Sequence, residues 1–81
     1  MKHDLKRMKK RGKNLKKLET VLNILAQGNN LPEKYKDHSL SGNYKNYREC
    51  HIEPDWLLIY QIKENLLILI ALRTGSPSDL F

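Results

Sequence analysis

The stretch from Tyr47 to Tyr60, Tyr-Arg-Glu-Cys-His-Ile-Glu-Pro-Asp-Trp-Leu-Leu-Ile-Tyr, sets the tightest limit on what this chain can fold into. It reads as a β-hairpin. Side chains alternate across two faces from Tyr47 to Ile52, with Tyr47, Glu49 and His51 on one and Arg48, Cys50 and Ile52 on the other. Glu53-Pro54-Asp55 interrupts the run, because proline cannot donate to a strand ladder and aspartate is a turn residue. Trp56 to Ile62 is then nearly all apolar, the pattern of a strand covered on both faces. His51, Glu53, Asp55 and Trp56 gather at the turn. Such a cluster either serves chemistry or is an ordinary solvated turn, and the local sequence fits both.

Two helices precede the hairpin. Residues 2–11 carry a thin apolar stripe, Leu5 and Met8, and Gly12 is the natural stop because glycine takes the left-handed conformation without a Cβ clash. Residues 13–27 predict a second helix, with Leu15, Leu18, Leu22 and Leu25 at helical spacing and Val21 and Ile24 widening the face. Gly28 ends it, and Asn29-Asn30-Leu31-Pro32 is a loop. So short a link makes a helical hairpin whose leucines belong to a core; the pattern spans too few heptads for a zipper. Residues 33–46 are mixed. Leu40 anchors a short extended piece, Ser41-Gly42-Asn43 marks a turn, and His38 follows Asp37, so on a strand the two face opposite ways. A turn at Lys63-Glu64-Asn65 leads to a last strand, Leu66 to Leu72. Residues 73–81 read as loop. The expected architecture is α+β over a single domain, 1–81: a three-stranded antiparallel meander with the two helices on one side.

Charge narrows the partners. The net charge of +6 is unevenly placed: residues 1–20 hold nine Lys and Arg against Asp4 and Glu19, whereas residues 21–81 hold six against seven acids. A cation-rich segment points to a polyanion, either nucleic acid or an acidic protein, with a merely solvated helix face as the plain alternative. Lys9, Lys10, Arg11 and Lys13 are the candidate RNA contacts. Cys50 is the single cysteine of 81 residues, so no disulfide forms within the chain. It reads as a small buried hydrophobe in a reducing, cytosolic setting. With no paired cysteines and no tight His/Cys spacing, a structural zinc site is not expected. No secretory signal is visible, and Leu66 to Leu72 is too short to span a bilayer, so no membrane partner is expected.

Three strings carry a family likeness: Tyr-Lys-Asp-His-Ser-Leu-Ser-Gly (35–42), the hairpin 47–60, and Arg-Thr-Gly-Ser-Pro-Ser-Asp-Leu-Phe (73–81). Together with the order of elements they resemble the RelE-type toxins of bacterial type II toxin–antitoxin systems, and more narrowly the YafQ branch. The likeness covers nearly the whole chain, and the hairpin string is its specific part. It implies a cytoplasmic messenger-RNA interferase that enters the ribosome, cuts the message through the RNA's own 2′-hydroxyl, uses no metal or other cofactor, and is restrained by a cognate antitoxin. By position it implies acid–base roles for His38, His51 and Asp55. Trp56 and Phe81 would pack against a base or shape the pocket, and Arg73 would stabilise the phosphate. The chemistry agrees: an imidazole shuttles protons, a carboxylate orients it or acts as base, arginine grips phosphate bidentately, and aromatic faces stack bases.

Two departures stand out. The branch has a histidine, the usual candidate for general acid, where this chain has Pro77. Proline has no side-chain proton to give, a loss worth roughly 10²–10⁴-fold in rate, with water, Asp79 or His38 as substitutes. Family members also begin with a β-strand, whereas Met1-Lys2-His3-Asp4 already lies in the first helix, which leaves an expected sheet edge uncovered. The readings are therefore an active or weakened interferase, a non-cleaving binder of antitoxin or ribosome with the same fold, or an unrelated basic RNA-binding module. The hairpin string counts against the last.

Overall fold

The helices stop where glycine lets them. In the computed structural model, which describes residues 1–42, 45–63 and 68–80 (for 68–70 the backbone alone), α1 runs Lys2–Lys10 and α2 Leu15–Ala26. Gly12 and Gly28 follow them at φ 76° and 78°. The Gly12 N–H donates to the Lys9 carbonyl and the Lys13 N–H to that of Met8, while Gly28 and Asn29 donate to Leu25 and Ile24. Both ends are thus Schellman motifs, in which the left-handed residue satisfies the last carbonyls as the chain reverses. Asn14 opens α2 by accepting the Lys16 N–H at 3.0 Å, a cap worth about 1 kcal/mol.

The sheet is antiparallel, in the order β1 (His38–Ser39), β2 (Arg48–Glu53), β3 (Trp56–Lys63) and β4 (Ile68–Gly75). The expected hairpin is present, with Pro54 and Asp55 turning between the paired Glu53 and Trp56. Three strands were expected and four are found. The additional one, β1, exists through its partners: His38 pairs with Glu49 and Ser39 with Arg48, and the Leu40 N–H donates to the Tyr47 carbonyl at 2.9 Å. Two residues contain no period to read.

β4 continues through Arg73, Thr74 and Gly75, and the tail beyond it is not loop. Pro77–Leu80 forms a single helical turn, α3. The Asp79 N–H donates to Ser76 Oγ at 3.3 Å, and the Ser76 N–H donates to the Asp79 carboxylate at 2.9 Å. This is a reciprocal capping box, with Pro77 at the first helical position, where a missing N–H costs nothing. Ser, Pro and Asp read as loop by composition; their spacing is that of a helix start. The expected turn at Lys63-Glu64-Asn65 lies partly, and Leu66 and Leu67 wholly, outside the described residues.

Both helices cover one face of the sheet. Met8, Leu18, Val21 and Leu25 meet Cys50, Ile52, Trp56, Leu58 and Tyr60 there, and each large side chain so buried stabilises by roughly 1.5–3 kcal/mol. Burial pushes the Cys50 thiol up to about 12, so Cys50 is a packed hydrophobe and not a nucleophile. Trp56 corrects an expectation. It is 0% exposed and its indole N–H donates to Thr74 Oγ at 2.8 Å. The indole points under the helices, so it supports the sheet and offers no face to a ligand. On the opposite face Leu57, Ile59 and Leu80 form a smaller cluster bordered by Leu40, Tyr47 and Leu72.

Charge completes the attachment. Asp4, 3% exposed, accepts from Arg73 Nε at 2.8 Å, from Arg73 Nη2 at 3.1 Å and from the Thr74 N–H at 3.2 Å. β4 is an edge strand among the described residues, so Asp4 serves an outward donor of that edge. Burial pushes the Asp4 carboxyl up, but the bonds from Arg73 and Thr74 outweigh it and the net shift is downward. Lys13 and Lys17 hold Glu53 at 2.9 and 2.7 Å, and these bonds lower its carboxyl pKa. Arg11 grips Asp79 through two bonds, with Arg7 3.7 Å away. The Arg11 guanidinium and the Ser76 N–H hold the Asp79 carboxyl well below the usual carboxylate range. The basic segment is therefore divided. Arg7, Arg11, Lys13 and Lys17 are spent on internal pairs, whereas Lys2, Lys6, Lys9, Lys10 and Lys16 are exposed and make no ion pair among the described residues. No helix among those residues is long and apolar enough to cross a membrane.

Asp4→Asn should cost about 2 kcal/mol in urea denaturation, less than the about 3–5 kcal/mol of a fully enclosed pair, because the Arg73 side chain is 36% exposed. An unchanged midpoint would remove this pair from the forces that seat α1. Asp4, Glu53 and Asp79 all have folded pKa values below their unfolded ones. Their stabilisation is complete above the unfolded values and is lost as pH falls through the folded ones. The urea midpoint should hold from neutrality to about pH 5 and fall below about pH 4, and Asp79→Asn should lessen the fall. An identical acid limb in that variant would show that Asp79 is not linked to folding.

Candidate active site

Strand register assembles the site. His38 pairs with Glu49, Glu49 with Ile59, and Ile59 with Arg73. Directly opposed residues of antiparallel strands share a face, so this row crosses the sheet on the side without α1 and α2. The adjoining row is His51, Leu57 and Gly75. Two imidazoles and a carboxylate thus collect at one end of an apolar floor made by Leu57 and Ile59.

The two rings converge on one carboxylate oxygen. Glu49 Oε1 lies 3.5 Å from His38 Nε2 and 3.7 Å from His51 Nε2. The two rings are 6.3 Å apart at 34°. Glu49 is 7% exposed, a buried carboxylate facing two groups able to carry positive charge. The ring tautomers follow from the backbone. His38 Nδ1 is 2.8 Å from the Lys36 carbonyl and His51 Nδ1 is 3.3 Å from the Pro54 carbonyl. A carbonyl only accepts, so each Nδ1 carries the hydrogen and each Nε2 is the atom that takes or gives a proton.

His38 is held from behind. On the helix side of the sheet, Asp37 accepts from the Tyr60 hydroxyl at 2.6 Å and from Arg48 Nε at 3.2 Å. Burial, with the Asp37 carboxylate beside it, raises the Tyr60 phenol, which stays a neutral donor. Arg48 therefore braces the chain immediately before His38. Lys36 adds a left-handed turn, φ 48° and ψ 45°, that aims its carbonyl at the ring.

The other expected residues are placed as follows. Asp55 sits at the hairpin tip, its side chain 74% exposed and 3.5 Å from Lys13 Nζ, next in sequence to the Pro54 that anchors His51. Arg73 ends the first row with its guanidinium on Asp4. Trp56 lies in the core on the opposite side. Phe81 is outside the described residues. Pro77 begins α3, whose Leu80 rests on Leu57 and Ile59. Gly75 permits that approach, since a Cβ there would meet the Asp79 Cβ at 3.0 Å. Asp79 cannot replace the histidine that Pro77 displaces, because its carboxyl is held ionised by Arg11. Sequence reasoning passed over Glu49. The alternation put it on the His51 face, which was the available signal, but its second partner comes from β1.

The arrangement suits proton traffic. Two imidazoles with Nε2 directed at one carboxylate can take a proton from a bound group and return one.

Comparison with known proteins identifies the family. Residues 1–81 match the family described as bacterial toxin of type II toxin-antitoxin system, YafQ. The mRNA interferase toxin YafQ of Escherichia coli K12 is 43% identical over 79 residues, which are 96% of this chain and 84% of that protein. The crystal structure of YafQ from E. coli BL21(DE3) superposes with a TM-score of 0.93 at 39% identity, covering 100% of this chain and 89% of that one. A chain of the E. coli DinJ-YafQ complex gives 0.90 at 39% identity, with coverages of 100% and 89%. The chain belongs to the YafQ family of bacterial toxins from type II toxin–antitoxin systems.

Proposed function

We propose that this protein is a messenger-RNA endonuclease acting on the ribosome, and that a cognate antitoxin restrains it. The observation that carries the reading is the convergence of His38 and His51 on Glu49 with both Nδ1 atoms anchored. The name of the E. coli relative, an mRNA interferase, supports the substrate, and its complex with DinJ supports the antitoxin.

In the proposed reaction one neutral imidazole takes the proton of an RNA 2′-hydroxyl through Nε2. The 2′-oxygen bonds to the adjacent phosphorus as the bond from phosphorus to the 5′-oxygen breaks. The other imidazole, protonated and paired with Glu49, gives its Nε2 proton to that leaving oxygen. The products are a 2′,3′-cyclic phosphate and a 5′-hydroxyl, and one proton is taken and one returned. Arg73 faces the developing phosphate charge with Asp4 orienting it. Asp55 serves as an orienting or basic carboxylate at the tip, and Phe81 stacks on a base. Lys6, Lys9, Lys10 and Lys16 supply a surface for ribosomal RNA or for an acidic antitoxin segment.

A second reading has a specific observation behind it: a member of the family that binds without useful cleavage. Among its described residues the tail offers no free acid, since Pro77 has no side-chain proton and Asp79 is engaged by Arg11.

On programmed ribosomes, His38→Ala and His51→Ala should each lower message cleavage by roughly 10²–10⁴-fold, and Glu49→Gln should lower it less. Wild-type rates in both histidine variants would sink the endonuclease assignment to this cluster. Comparing the chain with Pro77→His separates the two readings. Cleavage by the unmodified chain supports the first; silence that Pro77→His relieves supports the second; silence of both while a relative cuts removes the enzyme reading altogether.

A further inference from the structure

Arg73, the expected phosphate cation, is engaged by Asp4, and this directs attention to the cations on the other side of the histidines. A groove of about 210 Å³ is lined by Lys34, Lys36, His51, Ile52, Glu53 and Pro54. A second, of about 230 Å³, shares Lys34 and Ile52 and adds Lys17, Thr20 and Tyr35. The first is lined by His51 itself, and the second continues from it past Ile52 to α2. Lys34 and Lys36 are exposed and make no ion pair among the described residues; Lys34 Nζ lies 5.1 Å from the centre of the Tyr35 ring. The one acid that lines them is already met. Glu53 is bound by Lys13 and Lys17, and Asp55 faces Lys13. Among the lining residues Lys17, Lys34 and Lys36 stand against Glu53, a surplus of two positive charges, which suits an anion with one charge per unit.

Lys36 has a second distinction. Among the described residues it is one of two non-glycine positions with positive φ, the other being Asn46. Such a backbone is costly for a side chain with a Cβ, and glycine or asparagine would be the easy choice. The carbonyl task of Lys36, holding His38 Nδ1 at 2.8 Å, would be performed equally by glycine. The backbone therefore accounts for the left-handed turn but not for an ammonium group at that position. An anion next to the histidines does account for it.

We propose that Lys34 and Lys36 bind a phosphodiester of the RNA strand adjacent to the one being cut, and so set the strand's path past His51. The proposal rests on the endonuclease reading for its substrate, and it names residues outside the proton-transferring cluster. Lysine is a point charge on a flexible stem, suited to tracking a backbone without reading sequence.

The probe is a fluorescent RNA oligonucleotide carrying 2′-O-methyl groups throughout, which cannot be cut, with binding followed by anisotropy between about 50 and 200 mM salt. The test variant is Lys34→Gln with Lys36→Gly, where glycine keeps the left-handed backbone and its carbonyl. The control is Lys45→Gln with Lys63→Gln, two exposed lysines away from the grooves. On a single strand each neutralised phosphate adds about 0.7 to the slope of log affinity against log salt, so the test variant should lose about 0.7 and the control should keep the wild-type slope. An unchanged slope in the Lys34/Lys36 variant, or an equal loss in the control, overturns the proposal. Loss of slope in the test variant alone upholds it. If that loss occurs while the unmodified chain never cuts a message on ribosomes, the lysine contact stands and the endonuclease reading falls. Normal cleavage with an unchanged slope gives the converse.

Discussion

The two helices and their link, which concentrate nine cations in the first twenty residues, are tied to the sheet and tail by three carboxylates, each at a different place. Asp4 joins α1 to the edge of β4, Glu53 joins the link and start of α2 to the hairpin turn, and Asp79 joins the end of α1 to the tail. Ion pairs on a protein surface usually contribute little. These differ in geometry: Asp4 accepts three bonds, and Asp79 combines an arginine fork with a backbone N–H. The open face depends on all three. The position of β4 fixes Arg73, the tail fixes Leu80 over the floor, and the turn fixes the Pro54 carbonyl that holds His51.

The two faces of the sheet divide the work. Alternation along β2 sends Cys50 and Ile52 under the helices and leaves Glu49 and His51 on the other side. Arg48 shares the helix-side parity, and it serves the site indirectly by holding Asp37, the residue before His38. A core side chain does the same. Tyr60 buries its ring among the helices and spends its hydroxyl on that carboxylate. The proposed catalytic cluster is thus mounted on the scaffold through one acid that faces away from it.

Legibility followed length and period. The hairpin and both helices were readable because each repeats its pattern several times, and the glycine stops were readable because few residues tolerate that backbone. Cys50 was readable as core from its parity with Ile52. β1 and α3 were not, since two residues and one turn carry no period; α3 did carry a spacing, Ser76 to Asp79, that composition hid. Trp56 fitted both core packing and ligand contact, because a residue beside a polar turn can point to either face. His38 was reached through the family likeness, whereas His51 also stood out in the polar cluster at the turn. Taken locally, His38 is a histidine among polar residues, and nothing near it in sequence reveals that Glu49 stands opposite.

The sequence by itself determined the helical hairpin, the β-hairpin, the uneven charge and the family, because local periodicity, turn chemistry and short motifs are properties of neighbours in the chain. Only the tertiary structure decided which groups meet. Glu49 between two imidazoles depends on the register of β1 on β2, and the engagement of Arg73, Arg11 and Lys13 depends on how the helices lie across the sheet. Pairing across strands and between helix and strand joins residues up to seventy positions apart, and no local pattern encodes which donor at that distance will find which acceptor.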